Sequence, residues 1–183
     1  MSCYVTQNQL ILNNLLEFYN KNNRLETMLG IINGESKISL RIVDWFATNY
    51  AKQKYIVYEL DNGKRFKVYN DYKLKLRAYS KKRFDPFCRW ERINIPYKEN
   101  IQIQTTIGQL NFFKWALENK VITYIEQNYS EIEKDMNSRN STSKRRGYTT
   151  PNISKTRKKR EELSISASKS IKQEKVEIVI NFD

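Results

Sequence analysis

At 183 residues the chain is long enough for one domain with a real core plus a tail, and too short for two complete domains. Its 33 Lys and Arg against 20 Asp and Glu leave a net charge of +13, which implies attraction to nucleic acid, anionic membrane or acidic protein surfaces. With no histidine and only two cysteines, zinc fingers and Ser-His triads are excluded, and no apolar run is long enough to cross a bilayer.

The first predicted element is an amphipathic helix from Gln9 to Tyr19, with Leu12, Leu15, Leu16 and Tyr19 on one face. Asn23 is placed to cap a second helix, Arg24 to Ile32, ending at the Asn33-Gly34 turn. A third starts near Ser36 or Ser39 and runs through Leu40, Val43, Phe46 and Tyr50; at this spacing Trp45 and Phe46 read as core packing and not as a base-stacking pair. KYIVYEL and RFKVYND flank Asp61-Asn62-Gly63-Lys64, which predicts a β-hairpin closed by a type I′ turn at Asn-Gly.

Asp71 is placed to cap the next segment, where Tyr72, Leu76 and Tyr79 share a helical face. The same residues also alternate as a strand would, but the strong helix formers favour the helix, with Lys73, Lys75, Arg77 and Lys81 largely on its wet side. Asp85-Pro86 then forces an extended or turning backbone. RINIPY (92 to 97) and IQIQT (101 to 105) predict a second hairpin, with Pro96 on its edge strand. Thr105 or Thr106 caps a helix from Gly108 to Asn119, and a last helix runs from Val121 to about Met136. A helix-turn-helix is the alternative for this pair, but the apolar start of the second helix favours an antiparallel pair serving the core.

From Asn137 the composition turns to Ser, Thr, Asn and cations, with too little apolar mass to offset ordering entropy. The expected organisation is α+β: a compact domain over 4–137 with a helical N-terminal part, one or two hairpins and a C-terminal helical pair. A basic disordered tail over 138–174 and a terminal strand over 175–183 follow. That strand must pair either with the body's own sheet or with a partner's edge. In the tail, Lys144-Arg145-Arg146 and Arg157-Lys158-Lys159-Arg160 are spaced as a bipartite nuclear import signal, and serve equally for polyanion binding.

Charge in the body is local. Lys64 to Arg92 holds eleven Lys or Arg against three acids, with seven aromatic residues threaded between them. Cations mixed with planar rings suit a polyanion that also offers flat faces, which describes nucleic acid. The candidate phosphate contacts are Lys73, Lys75, Arg77, Lys81, Lys82, Arg83, Arg89 and Arg92, with Tyr79, Phe84 or Trp90 as a stacking platform. The bland alternative is a solvated cationic face whose rings belong to the core.

Neither GxxxxGK[ST] nor GxGxxG occurs, so the common phosphate cradles are absent and no cofactor is expected. The one enzymatic option is a metal-dependent nuclease drawing on Asp44, Glu59, Asp61, Asp85 and Glu91, against which those acids read as solvated or ion-paired charges. Cys3 and Cys88 form no pattern, which makes a reducing compartment the default. The N-terminal MSCYVTQNQLILNN has no basic region or apolar core of a secretion signal.

The segments SLRIVDWFATNYAK (39 to 52), AYSKKRFDPFCRWERI (78 to 93) and TTIGQLNFFKWALEN (105 to 119) resemble an uncharacterised protein family of the large nucleocytoplasmic DNA viruses. The resemblance covers most of the body and not the tail. It implies a viral protein that handles or packages a DNA genome in a virus factory, host nucleus or virion, and it carries no active-site motif. The combined expectation is a non-catalytic nucleic-acid binder, DNA before RNA. The alternative is a structural virion protein whose cations meet acidic capsid or core proteins.

Overall fold

The Thr6 hydroxyl accepts from the Gln9 amide (3.3 Å) and opens α1 (Gln7–Tyr19), which buries Leu15, Phe18 and Tyr19. The computed structural model describes residues 6–21, 23–98, 101–146 and 172–175. Asn23 does not cap α2 (Arg24–Asn33) with its side chain as expected. It adopts a left-handed backbone (φ 50°) and offers its carbonyl, which accepts from both the amide and the hydroxyl of Thr27. Gly34, at φ 78°, ends the helix in the left-handed conformation that glycine takes without steric cost.

Ser39 caps α3 (Leu40–Trp45), which continues through a π-helical turn (Phe46–Tyr50) into α4 (Ala51–Gln53). Phe46 and Tyr50 are buried, and the Trp45 indole donates to Asp135 at 3.0 Å. Both aromatic residues of the Trp45-Phe46 pair therefore serve packing.

β1 (Val57–Glu59) pairs antiparallel with β2 (Arg65–Lys67), putting Tyr58 opposite Phe66 toward the core and Val57 opposite Lys67 outside. The turn is not type I′. Among the turn residues only Gly63 has positive φ (72°), and its amide donates to the Leu60 carbonyl, so a turn over residues 60–63 ends in a left-handed glycine. That is the longer hairpin loop that Asp-Asn-Gly also fits, and it spares Asn62 a left-handed backbone.

α5 (Val68–Arg83) starts earlier than Asp71, straight out of β2. Asp71 sits in its first turn and accepts from the Trp115 indole (2.7 Å), so it is not the cap. Tyr72, Leu76 and Tyr79 pack on the core as the helical reading requires. Ser80, at φ 63° and ψ 161°, breaks the helix into two arms.

β3 (Arg92–Lys98) and β4 (Ile101–Thr106) form the second hairpin, with Ile95 opposite Ile103 and a register shift beside Pro96. β5 (Lys172–Lys175) lies antiparallel on the other side of β4, giving the order β3-β4-β5 and leaving Pro96 on an edge strand. The terminal strand expected over 175–183 is thus met only at Lys175, and residues 176–183 lie outside the described residues. The strand that is described pairs with this chain's own sheet.

Thr106 caps α6 (Ile107–Glu118), which is buried on nearly every side: Leu110, Phe112, Phe113, Trp115 and Ala116 are all inaccessible. Lys120, left-handed at φ 55°, separates it from α7 (Val121–Gln127). The buried Val121, Ile122 and Ile125 put the start of α7 in the core, which removes the helix-turn-helix alternative. One helix was expected from Val121 to Met136. Instead the chain breaks at Asn128, whose side-chain amide donates to the Tyr124 carbonyl (2.9 Å), and α8 (Tyr129–Arg146) begins anew. α8 runs beyond the boundary expected at 137. Among the described residues no helix is long and apolar enough to cross a membrane.

α6 also fixes the basic turn that follows α5. The Gln109 amide donates to the Pro86 carbonyl (3.1 Å), the Asn111 amide to the Arg83 carbonyl (3.0 Å), and the Thr106 hydroxyl to the Cys88 carbonyl (3.3 Å). Three hydrogen bonds from buried or half-buried donors pin residues 83–88 against the centre of the molecule.

Candidate nucleic-acid interface

The kink at Ser80 divides the basic stretch into two groups of cations that behave differently. On the first arm Lys73 and Arg77 are exposed, Lys75 is half-buried, and none of them has a carboxylate partner among the described residues. Asn70, Lys73, Leu74 and Arg77 line one shallow depression of about 280 Å³ on this arm. They recur at the spacing that puts residues on one helical face.

Beyond the kink most cations are engaged by the protein itself. Lys82 pairs with Glu91, and this hydrogen bond and charge hold the Glu91 carboxyl below the usual range. Arg83 donates to Gln7 (2.9 Å) and Arg92 to Gln104 (3.0 Å). Lys81 is exposed but lies near enough to Asp44 to oppose the rise in its pKa. Arg89 is exposed beside Trp90. Of the eight expected phosphate contacts, Lys82 alone is neutralised by a carboxylate among the described residues.

The three candidate platforms separate as well. Phe84 is 1% exposed and lies against Tyr72, Phe112 and Trp115, with centroids 5.6 to 5.8 Å apart, so it has no free face for a base. Its expected stacking role is withdrawn: the Asn111 bond to Arg83 draws the chain inward just before it. Tyr79 is half-buried and stacks on Phe84 (6.2 Å, 17° between planes). Trp90 is 76% exposed and presents its indole to solvent.

Three of the carboxylates weighed for a nuclease stand beside cations, and Asp44 and Asp85 lie near enough to interact. Glu59 stands opposite Arg65 on the hairpin, Asp61 pairs with Lys120, and Glu91 pairs with Lys82. Asp85 accepts from the Phe87 amide at 2.8 Å. Asp44 is pushed up to about 6 by burial, and Asp85 adds to the rise. Among the described residues no group of three His, Cys, Asp or Glu gathers where a metal would bind.

Beside the first arm lies a feature that pattern reading does not find. A groove of about 610 Å³ is framed by α4, β1, β2 and the first turn of α5, and Lys52, Lys67 and Arg139 reach it from three different elements. Tyr69, which also lines it, has the Lys52 and Lys73 ammonium groups 5.7 and 5.6 Å from its ring centroid. The signal available in the sequence was Tyr69 among cations; Lys52 and Arg139 gave none. Of the tail residues, Lys144, Arg145 and Arg146 form the end of α8, while Arg157, Lys158, Lys159 and Arg160 lie outside the described residues.

A model of a family of unknown function, DUF7197, matches residues 3–183. Uncharacterized protein L507 of Acanthamoeba polyphaga mimivirus is 51% identical over 118 residues, which is 60% of this chain and 46% of that protein. The chain therefore spans less than half the length of that relative, whose viral origin agrees with the resemblance drawn from residues 39–52, 78–93 and 105–119. No solved structure matches.

Proposed function

The chain belongs to the DUF7197 family, and for this viral protein we propose a non-catalytic role in binding nucleic acid, in which the first arm of α5 meets phosphates. The observation that carries the reading is the pair Lys73 and Arg77, one turn apart on an exposed face and free of carboxylates among the described residues. Cations held this way release counterions when they contact phosphates, which is the main source of sequence-independent affinity. Arg89 and Trp90 offer a second contact at the far turn, with the indole free to stack. The basic clusters of the tail add polyanion attraction or nuclear import, and DNA in a virus factory, host nucleus or virion is the expected partner.

Fluorescence anisotropy of labelled duplex and single-stranded DNA across a salt series tests this. Log affinity should fall steeply with log salt, and the Lys73→Gln/Arg77→Gln protein should show a slope shallower by about 0.9 per lost duplex phosphate contact. A Lys82→Gln/Arg92→Gln protein should change the slope less, because those side chains already have partners. Absent binding, or a flat salt response, overturns the reading in favour of a structural virion role in which the same cations meet acidic proteins.

A further inference from the structure

We propose that the groove framed by α4, β1, β2 and the first turn of α5 binds a phosphorylated nucleoside, taken either as a free nucleotide or as one unit of a single strand. Its volume, about 610 Å³, lies within the range of small-ligand sites. Its charge is one-signed: Lys52, Lys67 and Arg139 line it, and no carboxylate does. Lys52 and Lys67 have no ion-pair partner among the described residues. Arg139 pairs with Asp135 (3.0 Å) and lies 5.7 Å from the Trp45 ring centroid, so its charge is partly offset and Lys52 and Lys67 are the unpaired cations of the groove among the described residues.

The second observation is aromatic. Tyr55 is 85% exposed although it is a large ring, and its backbone is left-handed at φ 52°, a conformation costly for any residue but glycine. The Ile56 amide donates to the Ala51 carbonyl (3.2 Å), so the left-handed residue closes α4 and leaves a large ring exposed on the groove, free to cover a ligand. Tyr69 lies on the same groove with the Lys52 and Lys73 ammonium groups near its ring, and Val57, also exposed, extends the apolar surface. Asn49, delivered by the π-helical turn, and Asn70 add amides able to donate to and accept from a base edge. An acidic peptide would use the cations and leave both rings idle, whereas a nucleotide uses both.

The site stands on its own lining and does not depend on the outer face of α5, so the two readings fail separately. Calorimetric titration of the full chain with deoxyadenosine monophosphate, deoxyadenosine and inorganic phosphate, followed by a short single-stranded oligodeoxyadenylate, tests it. The nucleotide should bind more tightly than either fragment, and Tyr55→Gly or Lys52→Gln/Lys67→Gln should weaken it about tenfold. Arg77→Gln, on the outer face of α5 and not among the residues that line the groove, should leave nucleotide binding unchanged. Tyr55→Gly relieves the left-handed strain, so an unchanged or raised thermal midpoint separates lost binding from lost folding; Lys52→Gln/Lys67→Gln is the independent check. Weakening of the nucleotide alone identifies a free ligand, and weakening of the oligonucleotide identifies a strand unit. Equal affinity for phosphate and nucleotide overturns the nucleoside assignment. Silence toward the nucleotide, with oligonucleotide affinity unmoved by both groove variants, overturns the site and leaves the α5 reading intact.

Discussion

Asp44 shows what burial does to a single charge in this fold. Its carboxyl rises to about 6 from 3.8, chiefly through desolvation, with Asp85 adding to the rise and Lys81 opposing it. Because the folded state holds this proton more tightly than the unfolded chain, Asp44 burdens the fold least below pH 3.8. Stability is then lost as pH rises through about 6. Asp44→Asn should therefore stabilise the protein at pH about 7.5 by roughly 1–3 kcal/mol and give almost nothing at pH about 3.5, read as urea midpoints at the two pH values. Gly108 is the opposite kind of residue, defined by space. A Cβ there would meet the Cys88 Cβ at 2.9 Å and the Lys82 and Asp85 carbonyl oxygens at 3.1 and 3.3 Å. Gly108→Ala should thus destabilise by about 1–3 kcal/mol in chemical denaturation, although alanine favours helix, because backbone atoms cannot yield as a side-chain tip would.

Among elements, α5 carries most of the consequence, and its kink is its costliest point. Ser80 at φ 63° and ψ 161° occupies backbone space that belongs almost wholly to glycine, at a cost of about 1–3 kcal/mol. Ser80→Gly should raise stability by roughly 1 kcal/mol after allowing for the extra freedom glycine has when unfolded, seen as a higher denaturation midpoint. The helix itself was legible, because Tyr72, Leu76 and Tyr79 repeat at its period. The kink was not, because it is imposed from outside: Phe84 is buried beneath α6, and the Arg83 carbonyl is held by Asn111. The two hairpins and the caps at Ser39 and Thr106 were legible for the same local reason, whereas the type I′ turn and the caps expected of Asn23 and Asp71 were not what formed. The π-helical turn left no pattern in the sequence. The site divides along the same line. Lys73 and Arg77 follow from helical spacing, whereas Arg83 finds Gln7 from the opening helix and Arg92 finds Gln104 across the second hairpin. Lys52, Tyr55, Lys67 and Arg139 meet only after the tertiary fold brings them together.

At the scale of the molecule, β5 completes a sheet that this chain builds from its own strands. β5 covers the open edge of β4 through the pairs Ile101–Lys175, Gln102–Glu174, Ile103–Gln173 and Gln104–Lys172. Without it, β4 would present an unpaired row of amides and carbonyls beside Ile101 and Ile103, the kind of edge on which chains associate. A chain ending at residue 171 isolates this effect from electrostatics, because the cut removes two lysines and three acids and leaves the net charge at +14. The tail clusters 144–146 and 157–160 remain. Affinity for DNA at fixed salt should therefore stay close to that of the full chain, while stability falls by about 1–3 kcal/mol for the lost ladder hydrogen bonds. Sedimentation should show concentration-dependent self-association that the full chain lacks. A truncated protein that stays monomeric with an unchanged denaturation midpoint would mean that the β4–β5 pairing adds no stability in solution. The last strand would then be free to join the sheet of a neighbouring protein, the arrangement a structural virion role requires.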